Sequence, residues 1–167
     1  ITLSHLTNGQ NVFTKFNDTL VYDDFSSNKY NFPQKYTALE ISIIDDGNYR
    51  IKRISDNGSS YSYLKLANPL YSYEVQTSLS IGKGGQSAGI VLNGQTTENG
   101  GILLEVNNKK GFKITKIQGM QEQLLSGSPS SNGWVKSKNL KKKSINQITV
   151  KVQEGYYDIY FNGKYEY

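Results

Sequence analysis

Tyr156 and Tyr160 lie in Gly155-Tyr-Tyr-Asp-Ile-Tyr-Phe161, and Tyr61 and Tyr63 lie in Ser59-Ser-Tyr-Ser-Tyr63. Even spacing along an extended chain puts each pair on one side of a strand. Aromatic rings so presented stack against the C–H faces of sugars, with Asn, Asp and Gln supplying the flanking hydrogen bonds. Trp134, the one tryptophan, follows Gly133 at a loop exit and is a further candidate platform. The alternative is that Trp134 packs in a core and the tyrosines simply cover sheet faces. Lys136, Lys138, Lys141, Lys142 and Lys143 form the one concentration of charge. They suit an acidic polysaccharide or another anion, or equally serve to solubilise a loop and guard a strand edge.

Other chemistries lack their residues. Retaining glycoside hydrolysis needs two carboxylates about 5 Å apart, which on a strand means a spacing of two or four. Asp23-Asp24 and Asp45-Asp46 are adjacent, so each pair splits between faces, and Glu98, Glu105, Glu122 and Glu154 stand alone. His5 is the only histidine and there is no cysteine, which removes thiolate chemistry and leaves one candidate imidazole for a triad. Gly82-Lys-Gly-Gly-Gln-Ser-Ala-Gly89 lacks phosphate-loop spacing and leads into the apolar run Ile90-Val-Leu92, so it reads as a hairpin loop. The chain reads as a non-enzyme. Nineteen Lys+Arg against fourteen Asp+Glu give a net charge of +5. Only Arg50 and Arg53 are arginine, which argues against nucleic acid as the partner. No apolar run approaches the roughly 18 residues of a membrane span, and no basic-then-apolar leader opens the sequence.

The elements that position these residues follow from period. In Tyr71–Ile81, Tyr71, Tyr73, Val75, Thr77, Leu79 and Ile81 share one phase, while Ser72, Glu74, Gln76, Ser78 and Ser80 share the other. That is a strand with one buried and one wet face. Ile148, Val150 and Val152 repeat the pattern, as do Tyr157, Ile159 and Phe161 against Tyr156, Asp158 and Tyr160. Asp46-Gly47, Asn57-Gly58, Asn93-Gly94, Asn132-Gly133 and Asn162-Gly163 supply turns of the type that needs positive φ. Strands are predicted near 19–25, 39–44, 48–54, 60–66, 71–81, 86–93, 100–107, 111–117, 121–126, 134–139, 147–153 and 156–161. A helical turn over 119–126 is the one alternative. The 167 residues suffice for a single domain. Residues 1–18 read as an extra strand or leader, and 19–167 as an all-β, two-sheet antiparallel β-sandwich.

Several stretches carry a likeness in the same order. They are Val21-Tyr-Asp-Asp-Phe25, Asp46-Gly-Asn-Tyr-Arg-Ile51, Tyr73-Glu-Val-Gln-Thr77 with Ala88-Gly-Ile-Val-Leu92, Gly101–Val106 with Gly111–Thr115, Trp134, and Asn146-Gln-Ile-Thr-Val150 leading to Phe161-Asn-Gly163. Together they resemble the concanavalin A-like lectin/glucanase superfamily, and within it the laminin-G-like and family-16-glucanase-like jelly rolls. The resemblance implies a lectin-like, non-catalytic carbohydrate-binding module of a larger secreted or cell-surface protein, with polysaccharide and neighbouring domains as partners. The alternatives are a structural or protein-docking sandwich, and a glycoside hydrolase. The glucanase E-x-D-x-x-E pattern has no counterpart here. Such jelly rolls often hold a calcium ion near a sheet edge, for which Asp23, Asp24 and Asp158 are the candidate ligands. They also continue past the Asn-Gly hairpin to a last strand. Here the sequence ends at Tyr167, which implies either a trimmed C-terminus or residues 1–16 on the vacant edge.

Overall fold

A computed structural model of the chain describes residues 2–5, 18–54, 58–63, 66, 70–94, 100–119, 121–153 and 155–167. The fold is all-β and antiparallel, a β-sandwich. Among the described residues the one helical element is a single 3-10 turn at Pro129–Ser131. The chain divides into two compact units, Ile1–Pro69 and Leu70–Tyr167.

In the first unit β1 (Thr2–His5) pairs with β2 (Asp18–Tyr22). A three-stranded sheet follows, from β3 (Lys35–Tyr36), β4 (Glu40–Asp45) and β5 (Asn48–Arg53). The β4–β5 hairpin turns on Asp46 and Gly47, at φ 50° and 64°. Both residues are left-handed, as this turn requires, and Asp45 pairs with Asn48 across it. Phe25, Phe32 and Tyr49 form an aromatic cluster, Phe32 lying 5.3 Å from Phe25 and 5.1 Å from Tyr49 between ring centroids. The strand expected over 60–66 is not formed at residues 60–63, which are irregular; 64 and 65 lie outside the described residues. Local bonds hold this stretch instead of a ladder: the Ser62 hydroxyl meets the Tyr49 hydroxyl at 2.8 Å, and Tyr61 stacks on Tyr63.

In the second unit, β6 (Ser72–Leu79), β12 (Asn146–Gln153), β13 (Tyr156–Phe161) and β14 (Lys164–Tyr165) lie side by side in the order β14-β13-β12-β6. The facing sheet has the order β10-β9-β8-β7, from β7 (Ser87–Leu92), β8 (Gly101–Asn107), β9 (Gly111–Gln118) and β10 (Gln121–Leu124). β11 (Val135–Lys136) also pairs with β9, so β10 and β11 share one edge, interrupted by the Gly127–Gly133 loop. The 134–139 expectation thus contracts to two residues, and 121–124 is strand.

The core is made of the phase the sequence marks as apolar. Ile148, Val150, Val152, Ile159 and Phe161 of one sheet are buried, as are Leu92, Leu104, Val106, Phe112 and Ile114 of the other. Phe112 meets Phe161 across the sandwich at 5.4 Å between ring centroids. Each such side chain contributes roughly 1.5–3 kcal/mol, which fixes which residues point outward.

The β13–β14 hairpin turns on Asn162 and Gly163, at φ 52° and 79°. Asn162 is also a hub. Its side-chain oxygen accepts the Gln147 N–H at 3.1 Å, and its amide donates to the Asn139 carbonyl at 2.7 Å and to Asn146 Oδ1 at 3.0 Å. Beyond the turn, the Ile159 N–H donates to the Tyr167 carbonyl at 2.9 Å, and Tyr167 packs edge-on against Phe112. Asn162→Ala removes three side-chain hydrogen bonds at about 1 kcal/mol each and places a Cβ-bearing residue with no polar compensation in the left-handed region. Urea unfolding of this variant is expected to show a loss of roughly 2–4 kcal/mol. Asn162→Gly, which suits the backbone, should lose less. Equal losses would refute the conformational part of this explanation.

Candidate functional site

Because β12, β13 and β6 turn one phase into the core, the other phase forms cross-strand rows on the opposite face, exposed at Tyr156, Asp158, Lys151, Gln153 and Tyr165, half-buried at Tyr160, Ser72, Glu74 and Gln76, and buried at Thr149. Tyr165, Tyr160, Thr149 and Gln76 form the first row, Asp158, Lys151 and Glu74 the second, and Tyr156, Gln153 and Ser72 the third. Tyr160 and Tyr165 meet edge to face at 5.6 Å between ring centroids. The Lys151 ammonium sits 5.4 Å from the Tyr160 ring centre and 3.7 Å from Glu74. Gln76 Nε2 donates to the Thr149 hydroxyl at 3.2 Å. Tyr156 is 79% exposed and Tyr165 61%. Tyr156 and Tyr160 are four residues apart on one strand, about 13 Å. The face therefore carries aromatic rings at both ends and charged and amide groups between them.

Of the candidates named from sequence, this face gathers Tyr156, Tyr160 and Asp158. Trp134 lies elsewhere and is neither fully buried nor free: it is half-buried, and Lys113 Nζ sits 5.3 Å from its ring centre. That lysine also pairs with Glu105 at 2.8 Å, and Glu105 accepts the Ser87 hydroxyl at 2.7 Å. At 15% and 16% exposure the Glu105 and Lys113 side chains are largely shielded. Lys136 donates to the Lys109 carbonyl at 2.7 Å, and Lys138 is exposed. Tyr61 and Tyr63 stack at 6.2 Å in the first unit, where burial raises the pKa of the Tyr63 phenol, with Tyr61 adding to the shift.

Asp23 and Asp24, also in the first unit, cap turns. Asp23 accepts the Phe25 N–H at 2.7 Å and Asp24 the Ser26 N–H at 3.0 Å. The Ser26 bonds hold the Asp24 carboxyl below its usual pKa. Among the described residues no three His, Cys, Asp or Glu side chains gather closely enough to hold a metal ion.

The second unit also has an open cleft of about 300 Å³ at one end of the sandwich, lined by Asn93, Gly101, Ile102, Lys116, Gln118 and Tyr157. It arises where the inward phase of β8 and β9 runs out: Ile102 pairs with Lys116, which turns outward to water. Asn93 spans the gap between sheets, accepting from the Tyr73 hydroxyl and donating to the Tyr157 hydroxyl, both at 2.7 Å.

No family model, curated protein or solved structure matches this chain. Among the described residues no helix is long and apolar enough to cross a membrane.

Sequence reasoning passed over Tyr165, although the signal was available. A two-residue turn at Asn162-Gly163 makes 160 and 165 cross-strand neighbours by arithmetic alone. The Gln76, Thr149 and Gln153 rows need the pairing of β12 with both β6 and β13, which local pattern does not reveal.

Burial, and secondarily the neighbouring Tyr157, pushes the Tyr73 phenol up to about 12 from its ordinary 10. Between pH 10 and 12 the unfolded chain has lost this proton while the folded chain keeps it, so stability must fall as pH rises through that window. Tyr73→Phe is therefore expected to flatten the decline of unfolding free energy between pH 10 and 12 relative to the unaltered chain, measured by urea titration. An unchanged slope would mean that Tyr73 titrates normally.

Proposed function

We propose that this chain is a non-catalytic, lectin-like carbohydrate-binding module, and that the outward face of β14-β13-β12-β6 binds the glycan. The observation that carries the reading is exposed Tyr156 and Tyr165, with half-buried Tyr160 against Tyr165, on the same face as Gln76, Gln153 and Asp158. Aromatic rings exclude water from the apolar faces of a sugar, and amides and carboxylates bond its hydroxyls. The rings are anchored on strands, so little ordering is required on binding. The sequence likeness supports a concanavalin A-like jelly roll, with which the all-β antiparallel sandwich is compatible, and with it a place in a larger secreted or cell-surface protein. The two carboxylates of this face are not neighbours: Lys151 stands between Glu74, which it pairs with, and Asp158 in the same row.

The test is retardation of the chain in gels cast with neutral polysaccharides, with and without calcium, alongside an assay for released reducing sugar. At least one polymer should retard the protein without sugar release. Tyr156→Ala combined with Tyr160→Ala should weaken that binding by roughly tenfold or more, on the scale of one or two lost stacking contacts. Sugar release would contradict the non-catalytic reading. Retardation indifferent to both substitutions would place the binding elsewhere, and a complete absence of retardation would favour a structural or protein-docking sandwich.

A further inference from the structure

The lysines that the sequence shows as a run are part of a larger surface. Lys109 and Lys110 occupy the β8–β9 turn, shaped by Asn107 Oδ1, which accepts the N–H groups of Lys109 and Gly111, both at 2.9 Å. β11 brings Lys136 beside this turn, with its ammonium on the Lys109 carbonyl, and the Ser137 N–H bonds to the Lys110 carbonyl at 2.9 Å. The chain then runs through exposed Lys138 into the loop holding Lys141–Lys143. That loop is fixed to the sheet by buried Asn146, which bonds both the N–H and the carbonyl of Lys141, at 2.7 and 3.0 Å. Asn139 ties it in turn to the β13–β14 hairpin, donating to the Tyr165 carbonyl at 3.3 Å, next to exposed Lys164.

Four separate segments thus converge to put lysines at one end of the second unit. The acid among them is Glu166, and its carboxylate is engaged by the Ser137 hydroxyl and the Asn139 amide, each at 2.7 Å. Among the described residues none of these lysines forms an ion pair; the pairs present involve Lys35, Arg50, Lys113 and Lys151. Lys110 and Lys143 sit at φ 64° and 49°, left-handed positions that Gly or Asn adopts more readily. A cationic surface of this kind concentrates polyanions.

We infer that this end docks the anionic groups of an acidic polysaccharide, a carboxylated or sulfated chain, as a second contact beside the tyrosine face. The inference rests on the carbohydrate-binding reading for its choice of polymer. Lysine favours it as well: each ammonium is a compact point charge that meets isolated sulfates or carboxylates. No arginine contributes, and the loop from Lys138 to Ile145 has no aromatic ring on which a base could stack.

The probes are dextran sulfate, unmodified dextran and a DNA duplex, titrated against the full chain at several salt concentrations. Dextran sulfate should bind, more weakly as salt rises. Lys141→Gln, Lys142→Gln and Lys143→Gln together should weaken it roughly tenfold or more and make the salt dependence shallower. A charge-matched control, Lys29→Gln, Lys52→Gln and Lys83→Gln, should change it by less than about threefold if locality matters more than net charge. The lysine-loop variant should keep the retardation that the unaltered chain shows in neutral polysaccharide gels, so failure of the tyrosine face and failure of the basic end are separately visible. The inference is overturned if dextran sulfate does not bind, if the control weakens binding as much as the loop variant, or if duplex DNA binds as tightly at the same salt.

Discussion

Everything displayed by the second unit depends on the register between β12 and β13. Ile148 faces Phe161, Val150 faces Ile159, and Val152 faces Tyr157, and the first two pairs are buried completely or nearly so. Side chains alternate along a strand, so a slip of one residue would carry Tyr156, Asp158 and Tyr160 into the core and Ile159 and Phe161 into water. The hydrophobic cost of that exchange fixes the outer face as firmly as the inner one. Asn162 and Gly163 add the second constraint, since a two-residue turn admits one register and brings Tyr165 against Tyr160.

The same turn links the sheet to its surroundings through amides rather than ion pairs. Asn162 bonds Asn139 and Asn146, and Asn146 bonds the backbone at Lys141 and Ser144. Buried amides tolerate no unpaired donor or acceptor cheaply, so such a network holds its loop in one arrangement. The lysine-bearing loop is therefore a shaped surface, and it is built by residues that are themselves uncharged. On the other sheet the Glu105–Lys113 pair, with Trp134 over the ammonium, is a further fixed polar group, shielded enough that loss of either partner would leave a charge poorly compensated.

Period two made most of the sheet legible. β6, β12 and β13 were readable because Val, Ile and Phe alternate with Ser, Lys and Gln, and burial follows that alternation in β13 and in most of β12, with Thr149 buried against it and the middle of β6 half-buried on both phases. The Asp46-Gly47 and Asn162-Gly163 hairpins were readable because few residues accept positive φ. The alternation Tyr61-Ser62-Tyr63 misled, since it satisfies the same pattern with a stacked pair and a hydroxyl bond to Tyr49 in place of a ladder. Trp134 could not be assigned to core or surface from sequence, because its environment depends on Lys113 reaching it from another strand. Lys109, Lys110 and Lys164 carried no visible relation to the 136–143 run, because their proximity is created by β11 docking on β9 and by Asn139 reaching the last hairpin.

The proposed glycan contact is the outward side of β13 and its neighbours. Amide and side-chain NMR shifts recorded while a bound oligosaccharide is titrated in would locate the contact directly. The shifted residues are expected to cluster at Tyr156, Gln153, Gln76, Tyr160 and Tyr165. Shifts concentrated instead at Tyr61 and Tyr63, or around the cleft at Asn93 and Lys116, with the β13 face unmoved, would contradict it.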